Sequence, residues 1–227
     1  MKLPKTMKTP LPHIALALLL VASVQSQTPE KVNFAVPSLF EITYPKSFSA
    51  EESPQRAQRL QIAKTMLSRS AAKPIIDSNE ILDLLMLKHE DSQYAHINVV
   101  AGPPELTQED IKNADQGTLK TLTEGFGQMI QAGYKGNQIT VTTGFSGHRI
   151  TLPDGTTAFL LEHVYKMPDG KIRANQKYYI YTERFTLILG VTISPDIKET
   201  TKQDIAKAVS SFNPSSAVRT PRGKTFL

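Results

Sequence analysis

The residues best able to do chemistry lie between Gly144 and Tyr181. Ser146 and His148 stand two apart in Gly144-Phe-Ser-Gly-His148, so on a strand both project to the same side. A hydroxyl and an imidazole on one face begin a nucleophile–base pair, and Glu162 on a neighbouring strand could supply the orienting acid. The pattern is not Gly-x-Ser-x-Gly, because Gly147 comes one residue early. A nucleophile elbow also needs a strand-to-helix turn, whereas this segment reads as part of a β meander. We therefore read it as a glycine-permitted bulge with polar edge residues.

Glu162 and His163 could join His148 around a metal. Adjacent strand residues face opposite sides, however, which keeps Glu162 and His163 out of one regular site. His89, Glu90 and Asp91 form a second cluster, in a turn where all three can face water. No two histidines have the i, i+4 helical spacing of zinc hydrolases. Gly125, Gly127 and Gly133 fall in or at the end of a helical stretch rather than in a phosphate-cradling loop. Paired carboxylates of the glycosidase kind leave no local signature, because they meet in space. No catalytic residue, metal ligand or cofactor is expected.

One group reads as a binding surface. Arg173, Lys177, Tyr179 and Tyr181 project from one face of one strand by period-two alternation, and Tyr165 on the preceding run could lie beside them. Tyrosine and arginine are the residues that interfaces favour. The competing reading is that a helix layer covers this face and the tyrosines are core residues with wet hydroxyls.

These residues need a frame. Leu39-Phe-Glu-Ile-Thr-Tyr-Pro45 alternates as a strand. Ser53-Pro54 then opens a helix with the stripe Leu60, Ala63, Leu67 and Ala71, its cations scattered around the surface. Ile81–Leu87 and Ala95–Ala101 read as a hairpin. Thr107-Gln-Glu-Asp110 has capping-box spacing and opens a long helical stretch, broken or bent at Asp115-Gln-Gly117 and ended by Gly133 through a left-handed cap. Four β-rich runs follow: Ile139–Leu152, Thr157–Met167, Ile172–Thr182 and Phe185–Ser194. The turns Pro153-Asp-Gly155 and Pro168-Asp-Gly170 connect them as an antiparallel meander. A second capping-box-like start at Thr201-Lys-Gln-Asp204 begins a last helix with the face Ile205, Ala208, Val209 and Phe212, stopped by Pro214. Apolar residues lie on both faces of the meander strands, so the expected fold is α+β: a largely antiparallel sheet with helices on both faces, an α/β/α sandwich.

This order resembles the PsbP-like family, including its bacterial secreted members. The resemblance covers residues 36–213. It is carried by Phe40-Glu-Ile-Thr-Tyr-Pro45, the hairpin ending Ile97-Asn-Val-Val100, the long helix, Gln176-Lys-Tyr-Tyr-Ile-Tyr181, and the closing pair Leu187–Ile193 and Val209-Ser-Ser-Phe212. The helix after Pro54 looks like an insertion. The resemblance implies the sandwich and a protein that binds or assists rather than catalyses. These are core and turn residues, so they carry over no photosystem role and no manganese, calcium or chloride site.

The amino terminus points to export. A basic stretch, Met1 to Lys8, precedes the apolar run Ile14–Val24, and Val24 and Ser26 suit cleavage before Gln27. That run is shorter than the roughly 20 residues of a spanning helix, so no transmembrane anchor is expected in the mature chain. Lys2, Lys5 and Lys8 account for three of the formal +5. The body is therefore near neutral, and nucleic acid is not an expected partner. The chain has no cysteine, which excludes disulfides and thiol catalysis. The expected organisation is a signal peptide over 1–26, an exposed segment over 27–35, a single PsbP-like domain over 36–213, and a disordered basic tail over 214–227. The expected function is a secreted or periplasmic, non-enzymatic binding or accessory protein. Its partner would be an unknown protein, an envelope component or a small apolar ligand. The alternative is an exported hydrolase whose active site assembles in space.

Overall fold

The computed structural model describes residues 31–36, 39–58, 60–61, 81–90, 92–182 and 185–214. The expected signal peptide, the tail beyond Pro214, Asp91, and the helical stripe beyond Leu60 lie outside the described residues. The strands are β1 (Lys31–Val36), β2 (Phe40–Pro45), β3 (Phe48–Ala50), β4 (Leu82–His89), β5 (Ser92–Gly102), β6 (Thr140–Val141), β7 (Ser146–Thr151), β8 (Thr157–Lys166), β9 (Ile172–Tyr181), β10 (Thr186–Ile193) and β11 (Asn213–Pro214). The helices are α1 (residues 54–58 and 60–61), α2 (Gln108–Asn113), α3 (Gln116–Gly136) and α4 (Glu199–Ser210).

Two sheets result. The larger runs β3-β4-β5-β10-β9-β8-β6, with β7 also pairing β8, and every pairing in it is antiparallel. The meander β8-β9-β10 and the hairpin β4-β5 become one sheet because β10 inserts beside β5, Leu189 opposite Val99. The smaller sheet is β1-β2-β11. Residues 31–35, expected only as an exposed segment, keep alternate side chains exposed yet pair with β2 along their whole length. The alternation of Val32 and Phe34 with Lys31 and Asn33 was the signal for that strand.

Apolar residues on the two faces of the large sheet form two cores. On one face Ile97, Ile180, Leu187 and Leu189 pack with Phe40 and Ile42 of β2 and with Ile205, Ala208 and Phe212 in and after α4. On the other, Phe159, Leu161, Tyr179 and Tyr181 pack with Ile111, Leu119 and Phe126 of α2 and α3. The α+β architecture with helices on both faces is the expected one, although α4 shares its side with the small sheet.

Local signals explain most boundaries. The Ser53 hydroxyl accepts from the Arg56 N–H at 3.1 Å, capping α1. Thr107 and Asp110 make the full capping box of α2. The break at Asp115 is a second cap, its carboxylate accepting from Thr118 N–H at 2.7 Å. Gly155 and Gly170 have φ of 86° and 85°, the left-handed values their turns require.

Two expected boundaries are corrected. The long helix does not end at Gly133 but continues to Gly136, and the left-handed residue is Gln138. Tyr134, in that extra turn, packs on Tyr165 and reaches His163. Those contacts outweigh the roughly 1 kcal/mol cost of an interior glycine. The last helix starts at Glu199 without a side-chain cap. Thr201 is buried and Asp204 accepts from the Ser47 hydroxyl at 2.7 Å, so tertiary contacts claim both residues.

The run expected over Ile139–Leu152 is an interrupted edge, β6 then β7. Gly147 explains how α3 lies against it. A Cβ there would sit 2.0 Å from Thr123 Oγ1 and 2.6 Å from Phe159 Cζ. The threonine can rotate, but the phenylalanine ring is locked in the core. Gly147→Ala is expected to lower stability by about 1–3 kcal/mol. Gly125→Ala, whose Cβ would meet nothing within 4 Å, is expected to raise it by up to about 1 kcal/mol. Urea unfolding of both variants checks this contrast, and equal midpoints would mean that α3 does not bear on β7.

Candidate functional site

Register sets the composition of the sheet face beneath α3. Directly opposed residues of antiparallel strands share a face, and the pairings line up across five strands. One line runs Lys88, His96, Thr192, Asn175, His163, and the next runs Met86, Asn98, Gly190, Lys177, Leu161. A third, toward α2, runs Val100, Ile188, Tyr179, Phe159. At the far end Arg173 lies opposite Tyr165. The face is thus apolar at one end and polar at the other.

The five residues read from the sequence as a binding surface are divided by this gradient. Tyr179 stacks on Phe126 with ring centroids 4.4 Å apart. Tyr181 is 0% exposed and continues the stack at 6.4 Å. Burial pushes both phenols well above their ordinary pKa, and the two rings belong to the core under the helices. Tyr165 is nearly buried, between the rings of Tyr134 at 4.9 Å and His163 at 5.7 Å. Arg173, 5% exposed, donates to Ile172 O at 2.8 Å and Ser194 Oγ at 3.1 Å. The Ser194 hydroxyl in turn donates to the Asp196 carboxylate. That bond first, and the Arg173 charge further off, hold the Asp196 carboxyl below the usual range. Arg173 is therefore a tie between strand ends.

Lys177 differs from the other four. It is half-buried and makes no hydrogen bond or ion pair among the described residues. Loss of water around its ammonium lowers its pKa. Beside it, Asn98 lies across Gly190: a Cβ at 190 would come 2.3 Å from Asn98 Oδ1. Glycine is required there for the asparagine side chain to reach over β10.

His163 and Asn175 complete the polar end. His163 is 3% exposed, with Nε2 2.9 Å from the Tyr134 hydroxyl and Nδ1 without a partner. Burial first, and the nearby Lys177 charge second, push its pKa down to about 4, so the ring is neutral at pH 7. Asn175, 7% exposed, donates to Thr192 Oγ1 at 2.8 Å and leaves Oδ1 unpartnered. A cation lacking a counter-charge and two buried polar atoms lacking partners therefore occupy three neighbouring positions. Buried polar groups are rarely left so. Asn175 was visible in the alternation Arg173, Asn175, Lys177, but its neighbours His163, Asn98 and Tyr134 are brought in only by pairing and by α3.

The groups weighed for catalysis and metal lie elsewhere. Ser146 and His148 are exposed on the edge strand β7, opposite Glu162 and Leu160. They make no bond to each other among the described residues. Glu162 accepts from Gln176 Nε2 at 2.7 Å on the opposite side of β8 from His163, as strand alternation requires. His89 does not face water, as its place in a turn suggested. It closes β4, buried, edge-on to Phe48 at 5.0 Å and 3.6 Å from Asp204, because the hairpin tip folds under α4. Among the described residues no three His, Asp or Glu are grouped to hold a metal, and no helix is long and apolar enough to cross a membrane.

The chain's overall course is similar to that of cyanobacterial PsbP. The solution structure of that protein, CyanoP from Synechocystis sp. PCC 6803, matches with 14% identity and a TM-score of 0.49, over 86% of this chain and 99% of that one. A crystal structure from Bacteroides thetaiotaomicron matches with 10% identity and a TM-score of 0.43, over 88% of this chain and 52% of that one. A Pseudomonas aeruginosa protein of unknown function matches with 12% identity and a TM-score of 0.32, over 80% and 94%. In sequence the chain matches no family model and no curated protein. Likeness at this level transfers no residue's role.

Proposed function

We propose that this protein is a non-enzymatic binding or accessory protein, acting after export, that engages its ligand or partner at the polar end of the α3-covered sheet face. The observation that carries this reading is Lys177: half-buried, without a counter-charge among the described residues, and next to the Nδ1 of His163 and Oδ1 of Asn175, which likewise have no partner among them. A partner that supplies the missing charge and hydrogen bonds would offset the cost of holding those groups away from water. Catalysis has no comparable support, since Ser146 and His148 are exposed and unconnected and Glu162 is engaged by Gln176. Export rests on the basic and apolar amino-terminal segments.

Native mass spectrometry tests the reading on the full chain expressed in an exporting host. The expected result is bound mass, a small molecule or a protein, that leaves on denaturation and is reduced in Lys177→Met. Bare monomer in both proteins would remove the reading, and amino-terminal sequencing that finds residues 1–26 retained would remove export.

A further inference from the structure

We propose that the occupant of this site is a small organic monocarboxylate, its carboxylate on the Lys177 ammonium and its remaining polar contacts made to His163 and Asn175. The proposal rests on the binding reading above and names the ligand class. Charge is the first argument. At the polar end of this face the Arg173 charge acts on the Asp196 and Asp169 carboxylates, which it helps hold below their ordinary range, and Lys88 pairs with Glu51 at 3.0 Å, which leaves Lys177 as the cation there without a carboxylate among the described residues. One uncompensated positive charge matches one carboxylate. A phosphate dianion would bring a second negative charge with nothing to meet it, and a metal ion would be repelled.

Hydrogen bonding is the second argument. With Nε2 of His163 bonded to Tyr134, its Nδ1 presents either a donor to a carboxylate oxygen or an acceptor to a hydroxyl. Asn175 Oδ1 accepts only, and takes a hydroxyl or amine where the ligand carries one, so that a bare carboxylate probes the Lys177 and His163 contacts alone. The third argument is the company these groups keep. Ile188 in the adjacent cross-strand line and Met86 in the same one are only half-buried, apolar surface for an organic body rather than a free inorganic ion.

The test is a side-chain NMR titration of the full chain with benzoate, with benzamide as the uncharged isostere and inorganic phosphate as a second anion. Benzoate is expected to shift the Lys177 and His163 resonances saturably, and benzamide and phosphate are not. Lys177→Met should weaken benzoate at least about tenfold, the loss of one charge-assisted contact, while Lys88→Met leaves it unchanged. Lys177→Met removes a half-buried cation and should fold at least as well as the parent; if it does not, Lys177→Gln is the comparison. No saturable benzoate shift, or equal affinity after loss of the charge, overturns the proposal. Saturation by phosphate in place of benzoate also overturns it. If benzoate fails while native mass spectrometry still finds bound mass, only the ligand class is wrong; if both are negative, the binding reading falls with it.

Discussion

Truncating Phe126 to alanine is expected to cost about 3–5 kcal/mol of stability, the range for deleting a buried aromatic ring. Its ring stacks on Tyr179 at 4.4 Å and sits 5.9 Å from Phe159, joining α3 to β9 and β8 at once. Among the described residues nothing else on α3 makes an aromatic contact at this apolar end; Tyr134 works one end further along, on His163 and Tyr165. The damage should therefore be local. Urea unfolding measures the total, and native-state hydrogen exchange should show α3 losing protection while β10, covered on its other side by Leu187 and Leu189 packing in the second core, keeps most of its own. A loss under about 1 kcal/mol would mean that the ring is not the anchor its geometry indicates.

Acid should destabilise the protein through His163. The ring is held at about 4 in the fold against an ordinary 6.5, so between these values the unfolded chain binds a proton that the folded chain refuses. Stability therefore rises with pH across that window and falls as pH drops from 6.5 to 4, by ~3 kcal/mol in all. His96, whose pKa burial also lowers, acts in the same direction. The carboxylates held low by hydrogen bonds, such as Asp110 and Asp115, act in the lower window, where stability is lost as they protonate. His163→Gln keeps a partner for the Tyr134 hydroxyl and has nothing to titrate. Its unfolding free energy should be much flatter than the parent's between pH 7 and pH 4.5. Parallel pH profiles would show that His163 is hydrated in the fold.

The same residues show what could be read along the chain. Turns and caps were legible because their chemistry is local: Pro153-Asp-Gly155 fixes a left-handed glycine, and Thr107 and Asp110 satisfy each other three residues apart. Strand alternation was legible too, since period two needs no knowledge of the neighbour, and it placed Arg173, Lys177, Tyr179 and Tyr181 on one face. Gly133 and Thr201 misled for the opposite reason. Each carried a strong local preference that packing overruled, through Tyr134 on His163 in one case and burial of Thr201 on the same side of α4 as Ile205 and Ala208 in the other.

Whether the four aligned residues meet solvent, core or one another could not be read from their own strand. That depends on α3 covering Tyr179 and Tyr181 but not relieving Lys177, and on β10 returning between β9 and β5 so that Asn98 reaches over Gly190. Sequence by itself determined the elements and the face each residue takes, because backbone geometry and turn chemistry act over a few residues. The division of that face into core and polar end was decided only in the tertiary structure, because burial and charge compensation are properties of neighbours brought together from far along the chain.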